Sequence, residues 1–111
     1  MRIVIALGGK SLVEPGQVVD PLKRSPKIER AAAAIAELAT EHEIVVTHGY
    51  GPRIGLLSML AKTEHAEQRF PLDMISAEEE GVSGHQLAVA LRNACPSKRL
   101  ATLLMQVEVD A

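Results

Sequence analysis

Aromatic residues are almost absent from this sequence: one Tyr, one Phe and no Trp among 111 residues. The base-stacking side chains of many single-strand nucleic-acid binders are therefore missing. The core has to be aliphatic, which a 47% hydrophobic composition allows. Cysteine is nearly absent too: the single Cys95 excludes an internal disulfide and fits a reducing compartment. There is no excess of positive charge, since the formal net charge is -2, and non-specific binding to polyanions is not expected. No apolar run approaches the length needed to span a bilayer. Arg2–Leu7 is too short for the apolar region of a signal peptide with its cleavage site. These absences leave one soluble domain, expected in the cytoplasm, with neither nucleic acid nor membrane as partner.

What is present is a repeated layout. The apolar run Val45-Val46-Thr47 stops in His48-Gly49-Tyr50-Gly51, and a helical pattern begins after Pro52. This strand–turn–helix arrangement aims backbone N–H groups and the positive end of a helix dipole at an anion. Gly49 and Gly51 let the backbone approach a ligand without a Cβ in the way, and Pro52 suits a first helical turn. The same layout occurs earlier, where Ile3-Val4-Ile5-Ala6-Leu7 runs into Gly8-Gly9-Lys10-Ser11. Two such turns in one small domain point to a site built between them.

Along the chain, Arg2–Leu7 has no polar alternation and reads as a strand buried on both faces. Lys10-Ser11-Leu12 opens a helical turn or loop, and Val13–Arg24, with Pro15, Gly16 and Pro21, is a surface loop. Ser25-Pro26 starts a helix with Ser25 as N-cap. Its expected inward stripe is Ile28, Ala31, Ile35, Leu38 and Ala39. Glu43–Thr47 is a second strand, so strand, helix and strand read as a right-handed parallel βαβ unit. A helix with Ile54, Leu57 and Leu60-Ala61 inward follows the glycine turn, and Lys62–Pro71 is irregular. Leu72–Arg92 is a weaker helical segment carrying Ile75, Val82, Leu87 and Leu91, interrupted by Gly81 and Gly84, which each need a packing or functional reason. Leu100–Val109 is a third strand. The sequence stops directly after it with no covering helix, which leads to the expectation of an open sheet edge and a partial fold.

Several features have plain structural readings beside the chemical ones. Gly9-Lys10-Ser11 matches the tail of a Walker A loop, but its first glycine would fall at Val4, inside the strand, so a P-loop is not expected. A short two-glycine turn touching a phosphoryl group through N–H groups stands beside a simple tight turn. His48 could donate a hydrogen bond, but without a visible carboxylate partner a buried structural role is favoured. Arg53, a cation in the first turn of a helix, works against the dipole unless a phosphate or carboxylate compensates it; the alternative is a solvated surface arginine. Glu78-Glu79-Glu80 points three ways on a helix and reads as a solvated acidic face rather than a metal site. His42, His65, His85 and Cys95 share no metal-ligand spacing. Cys95 gives no sign of a nucleophile.

Taken together, these stretches resemble the carbamate kinases of the amino-acid-kinase superfamily. The resemblance is carried by Ala6-Leu7-Gly8-Gly9, by His48-Gly49-Tyr50-Gly51-Pro52-Arg53-Ile54-Gly55, and by Pro71-Leu72-Asp73. Gly81-Val82-Ser83-Gly84-His85 and Ala101–Asp110 extend it, in the family's order and spacing. It implies a three-layer α/β/α fold with a mostly parallel sheet, here incomplete. It also implies reversible phosphoryl transfer between carbamoyl phosphate and ADP, giving ATP and carbamate, with magnesium. By the resemblance Gly8, Gly9 and Lys10 face the transferring phosphoryl group, with Lys10 as candidate catalytic residue. His48, Gly49, Tyr50, Gly51 and Arg53 hold the carbamoyl side. No metal ligand is assigned within the chain.

The sequence departs from the family at Lys10, where asparagine is usual, and at Tyr50 and Arg53, which replace the asparagine and glutamine of H-G-N-G-P-Q. Two added cations would tighten phosphate binding or accommodate a more anionic substrate. Family members run to roughly twice this length or more, so residues 1–111 correspond to the amino-terminal, carbamoyl-phosphate-side half, without the nucleotide pocket. Three expectations follow: a carbamate kinase-like phosphotransferase, a truncated or split half-enzyme, or a non-catalytic anion-binding module. A homodimer or a second chain that completes the fold is the expected partner.

Overall fold

A computed structural model describes residues 1–12, 25–49, 51, 54–55, 57–59 and 71–110. The loop expected over Val13–Arg24, the irregular stretch over Lys62–Phe70, and Tyr50, Pro52, Arg53, Leu60 and Ala61 lie outside these residues. The chain is α/β. Strand β1 (Arg2–Leu7) leads into a four-residue helical turn α1 (Gly9–Leu12), and helix α2 (Pro26–Ala39) leads into β2 (Glu43–His48). A long helix α3 (Leu72–Ala94) follows. The two strands pair in parallel, in a register running from Arg2 opposite Glu43 to Leu7 opposite His48, as the β-branched runs and the connecting helix require.

Both long helices pack on one face of this sheet. Leu12, Ile28, Ala32 and Ile35 meet Leu87, Ala90 and Leu91, and Ile5, Leu7, Ile44, Val46 and Leu100 press against them. Burial therefore alternates along each strand, and the reading of β1 as buried on both faces is corrected. Val4 is 65% exposed and Val45 41%, because among the described residues no element covers their side of the sheet. Those residues supply two of the three expected layers.

Helix α2 begins at Pro26, whose fixed φ and missing N–H suit a first turn. Ser25 does not cap it through its side chain. Its hydroxyl donates instead to the Leu12 carbonyl at 2.7 Å, tying the end of α1 to the start of α2. The buried stripe is Ile28, Ala32, Ile35 and Ala39, while Leu38 is exposed. The inward alanine is thus Ala32 rather than Ala31, a distinction that a run of four alanines cannot signal.

Helix α3 is continuous through Gly81 and Gly84, and the reason lies in what crosses them. Residues 99–110 form no strand: apart from the half-buried Leu100 they are exposed, and the expected third strand is absent. A strand exists only where a neighbour takes up its backbone groups, and no second strand lies beside this segment among the described residues. Instead it lies along α3. Thr102 faces Gly84 and Leu104 faces Gly81, and the Met105 N–H donates to Glu80 Oε2 at 3.2 Å. Gly81 and Gly84 are one helical turn apart and Thr102 and Leu104 are two residues apart, so one small-residue face meets one face of an extended chain.

Candidate functional site

The register places the two glycine turns side by side. Leu7 and His48 are the last paired residues of neighbouring parallel strands, so Gly8 and Gly49 leave the sheet at the same level. Ligands in parallel α/β sheets bind outside the carboxyl ends of the strands. Gly8-Gly9 turns β1 directly into α1, where the Ser11 N–H donates to the Gly8 carbonyl at 2.8 Å. The first N–H groups of a helix have no partner within it, which suits them to an external acceptor.

Neither turn needs glycine for its own packing. Among the described residues a Cβ added at Gly8, Gly49 or Gly51 would meet nothing within 4 Å, and none of the three has a left-handed φ. Among the described residues no side chain or backbone occupies the space a Cβ would take at these three positions. The requirement for glycine that the sequence suggests is therefore one of access to the backbone rather than of conformation. Gly84 is the opposite case: a Cβ there would lie 2.5 Å from Thr102 Cγ2 and 3.2 Å from His48 Nε2.

The charges at this end are cationic. Lys10 is exposed beside Gly9. Lys27, in the first turn of α2, donates from Nζ to the Lys10 carbonyl at 3.1 Å, which brings a second ammonium to the same turn. Sequence reasoning passed over Lys27. The signal available was a cation in a first helical turn, set against the dipole, the same argument that singled out Arg53. Tyr50 and Arg53 lie outside the described residues. His48 is half-buried on the inner face of β2, and its Nδ1 is buried with no hydrogen-bond partner among the described residues. It is a packed histidine, as its sequence context favoured.

The acidic triplet is not a solvated face. Glu78 is exposed, but Glu79 is only 2% exposed and accepts a hydrogen bond from the Ser83 hydroxyl one turn on. Glu80 holds the Met105 N–H. Three consecutive residues do point three ways, and one of those ways is inward. Among the described residues no three His, Cys, Asp or Glu side chains gather as a metal ion would need. The donor set at the strand ends, N–H groups and ammonium groups, suits an anion rather than Mg2+. The Cys95 thiol donates to the Leu91 carbonyl at 3.0 Å at the end of α3 and stands apart from the turns. No helix of the described residues is long and apolar enough to cross a membrane.

Comparison with known proteins identifies this arrangement. The model of the amino acid kinase family matches residues 1–111. The chain belongs to the amino acid kinase family. It is 46% identical over 111 residues to carbamate kinase of Rhizobium meliloti (strain 1021), covering 99% of this chain and 34% of that protein. It is 38% identical to carbamate kinase of Haemophilus influenzae, over 99% of this chain and 36% of that protein. The structure of Giardia lamblia carbamate kinase bound to AMP-PNP superposes with a TM-score of 0.72 at 26% identity, covering 83% of this chain and 30% of that one. The chain thus spans about a third of the length of the curated relatives it matches, less than the half its sequence suggested.

Proposed function

We propose that this chain carries the carbamoyl-phosphate side of a carbamate kinase-like phosphotransferase. In the reaction, the bond between phosphorus and the carbamoyl oxygen breaks while one forms to a terminal oxygen of ADP, giving carbamate and ATP. The observation that carries the reading is the pairing of Leu7 with His48, which sets the Gly8 and Gly49 turns side by side at the carboxyl ends of the strands. Backbone N–H groups of those turns would hold the phosphoryl oxygens, and Lys10 would neutralise charge on them in the transition state. Lys27 is seated at the Lys10 carbonyl, on the same turn. Tyr50 and Arg53 belong to the same reading as carbamoyl-side groups. When bound, magnesium would add neutralisation of the phosphate oxygens, and neither it nor the nucleotide has contacts assigned among these residues.

A second reading has its own observation. The outer sheet face, with Val4 and Val45, and the extended Leu103–Val109 segment are exposed and apolar, an amount of uncovered surface that marks an interaction face. It favours a half-site that works when further protein supplies the nucleotide side. ATP formation from carbamoyl phosphate and Mg-ADP, by the chain alone and with a relative's remaining two-thirds added, separates the two. Turnover by the chain alone supports a self-sufficient site, turnover only in the mixture a complemented one. Binding of carbamoyl phosphate with no turnover in either supports an anion-binding module.

A further inference from the structure

Gly84 touches none of the residues placed at the anion site, except one. Its missing side chain forms a notch in α3, and the imidazole of His48 sits against it: a Cβ at position 84 would lie 3.2 Å from Nε2 and 3.4 Å from Cε1. His48 is the last residue of β2, directly before Gly49. Its ring points to the inner face, opposite Leu7. Nδ1 has no hydrogen-bond partner among the described residues, so among them van der Waals contact, not a polar tie at Nδ1, holds the ring. Thr102 closes the notch from the other side, its Cγ2 lying 2.5 Å from the same Cβ position.

We propose that Gly84 is a positioning residue for the Gly49 turn, acting through His48. The depth of the notch decides how closely the end of β2 approaches α3, and hence where the Gly49 N–H stands relative to the Gly8 turn. Packed interiors transmit such displacements because they have little free volume to absorb them. A shift of a few tenths of an ångström in His48 would move the adjacent turn by a similar amount, and anion coordination by backbone groups is sensitive on that scale. The proposal rests on the reading of the two turns as an anion site, and it adds a determinant in a helix that never meets the anion.

The test uses four forms of the 111-residue chain, with the unaltered chain and its His48→Ala variant held as a fallback pair. Thr102→Ser removes Cγ2 and with it the closer of the two contacts, and is the reference. Gly84→Ala in that background keeps the push on His48. His48→Ala added to each of these two removes the ring that is pushed, with and without the new Cβ. Backbone amide and imidazole Cε1–H resonances are recorded, and carbamoyl phosphate and inorganic phosphate are titrated. The expected result is a displaced Gly49 amide resonance in G84A/T102S relative to T102S, with thermal unfolding still cooperative. Phosphate affinity falls about tenfold or more. In the His48→Ala background, adding Gly84→Ala changes affinity no further, since the coupling between the two positions has been removed.

An unmoved Gly49 resonance in G84A/T102S overturns the proposal whether or not any anion binds. So does an equal loss of affinity from Gly84→Ala with and without His48, which would make Gly84 a packing residue only. If T102S binds neither anion while the Gly49 resonance still moves in G84A/T102S, the reading of the turns as an anion site fails and the mechanical link stands. Should G84A/T102S not fold, the comparison of His48→Ala with the unaltered chain decides the link. A Gly49 resonance and phosphate affinity unchanged by His48→Ala would then overturn it.

Discussion

Leu7 and His48 face each other at the last register position of two parallel strands, and glycine follows each of them. This pairing turns two motifs separated by forty residues of sequence into one surface. It also predicts which substitutions should affect binding without affecting the fold.

Gly8→Ala and Gly49→Ala should leave stability unchanged or raise it by up to about 1 kcal/mol, since neither Cβ meets another atom within 4 Å among the described residues and neither φ is left-handed. Both should sharply weaken binding of carbamoyl phosphate. Chemical denaturation and ligand titration on the same samples check this; a loss of stability with binding intact would contradict it.

The face of α2 is tested by a pair of substitutions. Ile35→Ala empties a buried site in the main core and should cost about 2–5 kcal/mol. Leu38→Ala, on an exposed position, should cost less than about 1 kcal/mol. Equal effects would contradict the observed stripe.

How much of this was readable from sequence depends on the kind of signal. The β-branched runs ending in glycine located both strands, their parallel pairing and the two turns. The Ala31–Ala34 run is uniform in character, so it could not tell Ala32 from Ala31 as the buried position. Glu79 could not be separated from Glu78 and Glu80 by type, and its burial follows from the direction in which α3 faces the rest of the chain. Gly81 and Gly84 read as weak points in a helix because their partners, Leu104 and Thr102, lie 23 and 18 residues further along the chain. Leu100–Val109 has strand composition, but composition does not provide the neighbouring strand that would make it one.

Ser83→Ala removes the hydroxyl that donates to the buried Glu79 carboxylate, and nothing at that position can replace the donor. It should destabilise the chain by about 1–3 kcal/mol, read as a lower midpoint in urea. Ser83→Thr, which keeps the hydroxyl, should recover part of the loss. A neutral Ser83→Ala would mean that Glu79 is held by other groups alone.

The Arg2–Glu43 ion pair closes at 3.0 Å, but both side chains are about two-thirds exposed. Arg2→Ala should therefore change stability by no more than about 0.5 kcal/mol in physiological salt. A larger loss would show that the outer sheet face is less open to solvent than its exposure indicates.

The most direct test of the account is a titration of the labelled chain with carbamoyl phosphate, followed at the backbone amides of Gly8, Gly9, Gly49 and Gly51. The account predicts saturable shifts at both turns together, abolished at both by Gly49→Val alone. Shifts confined to one turn, or to residues remote from the strand ends, would contradict a shared site between Leu7 and His48.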